Sequence, residues 1–239
     1  PYKFLYYDYN GNFLREKTSE AFYTEITRTT DNILAINSKI LEPKHYLSLL
    51  NEEDHRITVA KKIPLAFTYR GEFRCRGSYL LKSEHLYFTQ NGDYTIYSWD
   101  NNRIKPVVTV DFGKYSYNPT QLNEEPHAPA TRNKVLSIIN VKEIRSNLFF
   151  NTNKIGLFVY NKTRHQIVHA YGITNTNLGI VLHNSIATED THNEIVAFSY
   201  DMPILQRKLA GIASDNPVIK QIQNAKEDDN PLLFLYKSI

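Results

Sequence analysis

The chain has 239 residues, 41% hydrophobic and 22% charged, enough to bury a core in one large domain or two small ones and far from a disordered composition. Its formal charge of +3 permits contact with anions but falls short of the basic stripe that by itself announces nucleic acid. Cys75 is the only cysteine, which excludes an intrachain disulfide and a Cys-rich zinc site completed within the chain. No run approaches the roughly 18 apolar residues of a spanning helix, and no apolar signal core opens the chain. These features predict an intracellular protein, cytoplasmic or nuclear, with no membrane partner; the first residue, Pro1, suggests a trimmed chain or a fragment.

In chain order, Lys3–Asp8 and Asn12–Arg15 flank Asn10-Gly11, a pair suited to a type I′ hairpin turn. From Ser19 to Glu52 the spacing of Ala21, Tyr23, Ile26, Ile33, Leu34, Ile36, Ile40 and Leu41 predicts helices, with Asp31 as a cap and Pro43 opening a third segment. From Ile57 to about Val110 a two-residue alternation predicts an antiparallel meander with turns at 90–93 and 100–102. Residues 115–133, with Pro119, Pro126 and Pro129, read as a long loop or linker. A second β-rich block follows over 134–141, 155–160, 166–171 and 179–184, then helices over 203–212 and 217–225 and a last strand from Leu232 to Tyr236.

The predicted class is therefore α+β, predominantly antiparallel sheet, with helices near the N-terminal third and at the C-terminus. The predicted division is 1–114, a linker at 115–133, and 134–239, unless the whole is one continuous domain. No internal repeat is legible.

The segment from Tyr69 to Lys82 separates its charges by parity. In a strand, Arg70, Glu72, Arg74 and Arg76 share one face while Tyr69, Phe73 and Cys75 share the other. Three arginines around one glutamate make a face that is solvated, binds an anion or pairs with another protein. Tyr79, Tyr87, Tyr94, Tyr97 and Trp99 follow; most fit a pleated, half-buried surface, and some are candidates to stack bases beside the cations. Cys75 reads as an inert, partly buried thiol.

Signatures of catalysis are faint. His165 and His169 lie four apart, and His183, His192, Glu189, Asp190 and Glu194 follow, but no recognisable metal-ligand spacing joins them. Asp111-Phe112-Gly113-Lys114 and Glu16-Lys17 are fragments of a divalent-metal nuclease pattern, and no phosphate loop, dinucleotide motif or GxSxG elbow occurs. No metal or other cofactor is assigned, magnesium being expected only if the chain is a nuclease.

Three segments in one order resemble the transducer-like second domain of MORC-type GHKL ATPases: 73–82, Gly156 to Arg164, and Gly179-Ile180-Val181 leading to Thr191-His192-Asn193, with the 205–212 helix where that family has a Leu-rich one. The resemblance spans about residues 69–212 and implies coupling of an ATP-binding domain to dimerisation and DNA. Its landmarks here are Lys82, Tyr160, Asn161, Arg164, His192 and Asn193. The family's ATP-binding motifs are missing, and Glu194-Ile195 stands where it usually has Lys-Gln.

The expected function is a nucleic-acid-associated binding or coupling module. Arg70, Arg74, Arg76 and Lys82 would contact phosphate, Tyr79 and Tyr87 would stack bases, and DNA is expected before RNA. The alternatives are a nuclease- or glycosylase-type enzyme, with Glu72, Tyr79 and His192 as first suspects for acid/base work, and a structural subunit of a viral or multi-protein assembly. Partners beyond nucleic acid would be a second copy or another protein. Whether the chain is an enzyme is left open.

Overall fold

The computed structural model describes residues 2–19, 23, 25–29, 32–36, 47–51, 57–61, 80–82, 85–90, 93–100, 103–117, 133–154, 156–182, 195–226, 228–230 and 232–237. Antiparallel sheet dominates them. A hairpin of β1 (Tyr2–Tyr7) and β2 (Phe13–Ser19) comes first. Its turn is wider than the two-residue type I′ form: Asp8 accepts the backbone N–H groups of Asn10 and Asn12 on its carboxylate, and Gly11 takes the positive φ of 83°.

Three four-stranded meanders follow, each with its strands in sequence order. The first holds β3 (Glu25–Arg28), β4 (Asn32–Ile36), β5 (Leu47–Asn51) and β6 (Ile57–Lys61). The second holds β7 (Leu80–Lys82), β8 (Leu86–Gln90), β9 (Asp93–Asp100) and β10 (Arg103–Thr109). The third holds β11 (Ile138–Ile144), β12 (Asn147–Thr152), β13 (Leu157–Asn161) and β14 (Gln166–Ala170). The first strands touch in succession, β3 against β7 and β7 against β11. Successive four-stranded sheets related in this way form the unit that propeller-like proteins repeat. Beyond them, β15 (Ile173–Asn175) pairs with β16 (Ile180–Leu182), and β17 (Ile195–Tyr200) with β18 (Leu232–Lys237). Helices α1 (Met202–Leu209) and α2 (Pro217–Asn224) lie between the last two strands.

The expectation of helices near the N-terminal third is overturned. The described residues between 19 and 52 contain β3, β4 and β5 and no helix. Ile26, Ile33 and Ile36 are β-branched and stiff at χ1, which favours a strand, while the run Ile33-Leu34-Ala35-Ile36 mimics one side of a helix in its spacing and yet lies in a sheet. The α+β assignment is corrected to mostly antiparallel sheet with two short helices at the C-terminal end. Both of those carry proline in the first turn, as their sequence signal required.

The second sheet buries both of its faces at β7. On β7, Leu80 packs with Leu47, Phe88, Trp99 and Ile139. Leu81, on the opposite face, packs with Tyr87, Ile96, Ile138, Leu148 and Phe150. A third cluster packs Leu205 and Leu209 of α1 and Ile219 and Ile222 of α2 against Ile144, Phe149, Leu157 and Val159 of β11–β13. Burying each of these side chains contributes about 1.5–3 kcal/mol before conformational entropy is counted.

Candidate functional site

Sheet β11–β14 is where charge, burial and backbone strain meet. Over residues 133–182 the only carboxylate is Glu143, against Lys134, Lys142, Arg145, Lys154, Lys162 and Arg164. Glu143 is 2% exposed, and a carboxylate so buried costs several kcal/mol unless it is paired. Three elements pair it. The Tyr87 hydroxyl of β8 donates to Oε2 at 2.8 Å, and His85 Nδ1, just before β8, meets the same oxygen at 2.8 Å. Lys162, at the start of the β13–β14 turn, donates to Oε1. Two of the partners reach water where Glu143 does not, with side chains 51% exposed at His85 and 32% at Lys162. The centre therefore clamps the second sheet to the third at one end of their strands.

The same end carries two strained turns. Between β11 and β12 the turn is Arg145-Ser146, with Arg145 at φ 55°. Between β13 and β14 it runs from Lys162 to His165, with His165 at φ 53°. A side chain held at positive φ costs about 1 kcal/mol, and such residues cluster at sites where strain serves a purpose. Both turns are pinned. The Lys162 N–H donates to the Ser146 carbonyl at 2.8 Å, and the Arg164 N–H donates to Asn161 Oδ1 at 2.7 Å. Asn161 in turn donates to Asn147 at 2.8 Å, and the Tyr160 hydroxyl lies 3.0 Å from His165 Nδ1. Arg145, Arg164 and His165 are exposed on this rigid platform.

The rest of the sheet is braced by rings. Phe150, Phe158 and His169 are cross-strand neighbours stacked at 5.2 and 4.3 Å, and Tyr171 lies 4.9 Å beyond His169. Gly156, at φ 129°, makes the close stack feasible, because a Cβ there would come within 2.2 Å of His169 Nε2. On the neighbouring sheet, Tyr94 donates to the Val135 carbonyl at 2.6 Å, and burial pushes its phenol up to about 12. Asp100 is held below the usual carboxylate range, first by the hydrogen bond from Lys105, with smaller Coulombic help from Lys105 and His85.

The residues singled out in the sequence fall differently. Arg70, Glu72, Arg74, Arg76, Tyr79 and His192 lie outside the described residues. Lys82 ends β7, and Tyr87 is buried with its hydroxyl committed to Glu143. Of the MORC landmarks, Tyr160 and Asn161 end β13 and Arg164 sits in the turn after it; Asn193 is outside the described residues. Among the described residues, no group of three or more His, Cys, Asp or Glu side chains is placed to hold a metal, and no helix is long and apolar enough to cross a membrane. The rim formed by Arg145, Lys162, Arg164 and His165 was missed. The signal for it was the acid-poor window around a single glutamate.

The model of a family described as a domain of unknown function, DUF4934, matches residues 1–237. Among solved structures, the chain is similar to a "Putative exported protein" from Bacteroides fragilis, with 15% sequence identity and a TM-score of 0.64 over 99% of this chain and 72% of that one. No curated protein matches. These findings overturn the intracellular assignment and the nucleic-acid reading, with its DNA or RNA partner and its nuclease or glycosylase alternative, and they lend no support to the separate alternative of a structural subunit in a viral or multi-protein assembly. The solved relative is described as exported, and the matching family is described as one of unknown function. The physical reason is plain for compartment: one cysteine limits disulfides, whereas a core of this size needs none and dictates no destination.

Proposed function

The chain belongs to the DUF4934 family, and from that membership and the geometry of sheet β11–β14 we propose that it is an exported β-sheet protein that binds an anionic ligand at the turn end of that sheet. The observation that carries this reading is the pair of pinned, strained turns exposing Arg145, Arg164 and His165 beside Lys162, with the one local carboxylate buried beneath them. Burial of Glu143 removes the anion that would otherwise repel a ligand. Pinning reduces the entropy that flexible cations lose on binding. Arginine supplies planar, bidentate donors suited to carboxylate or sulfate. The exported setting is supported by the description of the Bacteroides fragilis structure.

Dextran sulfate titrated by calorimetry tests the binding. Affinity at low salt that falls steeply as salt rises is expected, as is roughly tenfold or greater weakening in Arg145→Glu/Arg164→Glu, since each charged hydrogen bond contributes about 1.5–3 kcal/mol. Heat signals that are absent at low salt, or the same in the variant, contradict it.

A further inference from the structure

Resting on the anion-binding reading, we infer that the site selects a linear ligand carrying two anionic groups about 10 Å apart, one for each turn. The two turns cap neighbouring strand pairs, β11–β12 and β13–β14, and β12 is hydrogen-bonded to β13. Their centres are two strand spacings apart, about 10 Å at roughly 4.8 Å per spacing. The Lys162 N–H to Ser146 carbonyl bond fixes that separation, because it ties one turn directly to the other.

The centre of this span is the poorer place for an anion. Lys162 already donates to Glu143, so a ligand group seated there competes with a buried carboxylate for the same ammonium. The flanks differ. Arg145 projects from the first turn and Arg164 from the second, both exposed, and His165 stands next to Arg164. Arginine's five donors allow each side chain to serve a ligand while keeping a contact within the protein. A ligand with one anionic group engages one flank; a ligand of matched length engages both, and the second contact then forms at high effective concentration.

The test uses the intact chain and a series of probes: inorganic sulfate, acetate, and straight-chain dicarboxylates from succinate through suberate to dodecanedioate. Affinity is expected to pass through a maximum at the length that spans about 10 Å, roughly tenfold or more above acetate. In Arg164→Ala that maximum should vanish while sulfate binding at Arg145 persists, with an unchanged melting temperature showing that the fold is intact. Sulfate binding accompanied by no dependence on dicarboxylate length overturns the two-anion inference and leaves the anion site standing. Failure of every probe to bind removes both.

Discussion

At the scale of single residues, Glu143 and Gly156 carry the most consequence. Glu143→Ala leaves the buried Tyr87 hydroxyl without its acceptor and Lys162 without its counter-charge, at a cost on the order of 3 kcal/mol. Chemical denaturation of the variant should show that loss, and an unchanged midpoint would contradict the clamp. Gly156→Ala forces His169 out of its stack on Phe158 and strains a backbone at φ 129°, so a drop of about 1–3 kcal/mol is expected in the same assay. Tyr94 adds a pH dependence. Its folded-state value near 12 lies above the 10 of an unfolded tyrosine, so its contribution is complete below pH 10 and is lost as pH rises from 10 towards 12. Thermal melts across that interval should fall faster for the native chain than for Tyr94→Phe. The carboxylate centre was hidden in the sequence because its members, 85, 87, 143 and 162, are far apart along the chain and meet only through sheet packing. By contrast, the role of Asn10-Gly11 in a hairpin was legible because turn chemistry is local, even though Asp8 widened the turn.

Elements obey the same distinction between local and distant causes. Helix α2 was legible because Pro217 opens its first turn, a local signal, and the structure adds an N-cap in Asn216, which accepts the Val218 N–H at 2.9 Å. Asn216 also donates to the Asn177 carbonyl at 2.9 Å, fastening the helix to the β15–β16 turn. Asn216→Ala should therefore cost about 1–2 kcal/mol, at the upper end for an N-cap, and amide exchange should quicken throughout α2. If only the first turn responds, the link to Asn177 contributes nothing. Strands β3 to β5 were illegible for the opposite reason: short apolar runs such as Ile33–Ile36 fit a helical spacing as well as a strand, and what decides between them is pairing with segments distant along the chain. Strand β12 escaped for a related reason. Phe149 faces the helices while Leu148 and Phe150 face the second sheet, so apolar residues run without alternation.

On the scale of the whole molecule, three meanders beginning at Glu25, Leu80 and Ile138 provide a scaffold in which turns at one end of the strands become neighbours. That arrangement places His85 from before β8 beside Glu143 from β11, and sets Arg145 and Arg164 on a common platform. The repeat is structural, with no matching pattern of residue types, and sequence periodicity could not report it. Binding at this platform should respond to salt, because the ligand meets exposed charges within a Debye length of water. The most direct measurement is a heteronuclear NMR titration of the intact chain with sodium sulfate. Saturable shifts confined to the amides of residues 145–146 and 162–165, absent in Arg145→Ala/Arg164→Ala, are the predicted result. Shifts that map to another surface, or none at all, would contradict an anion site at the turn end of β11–β14.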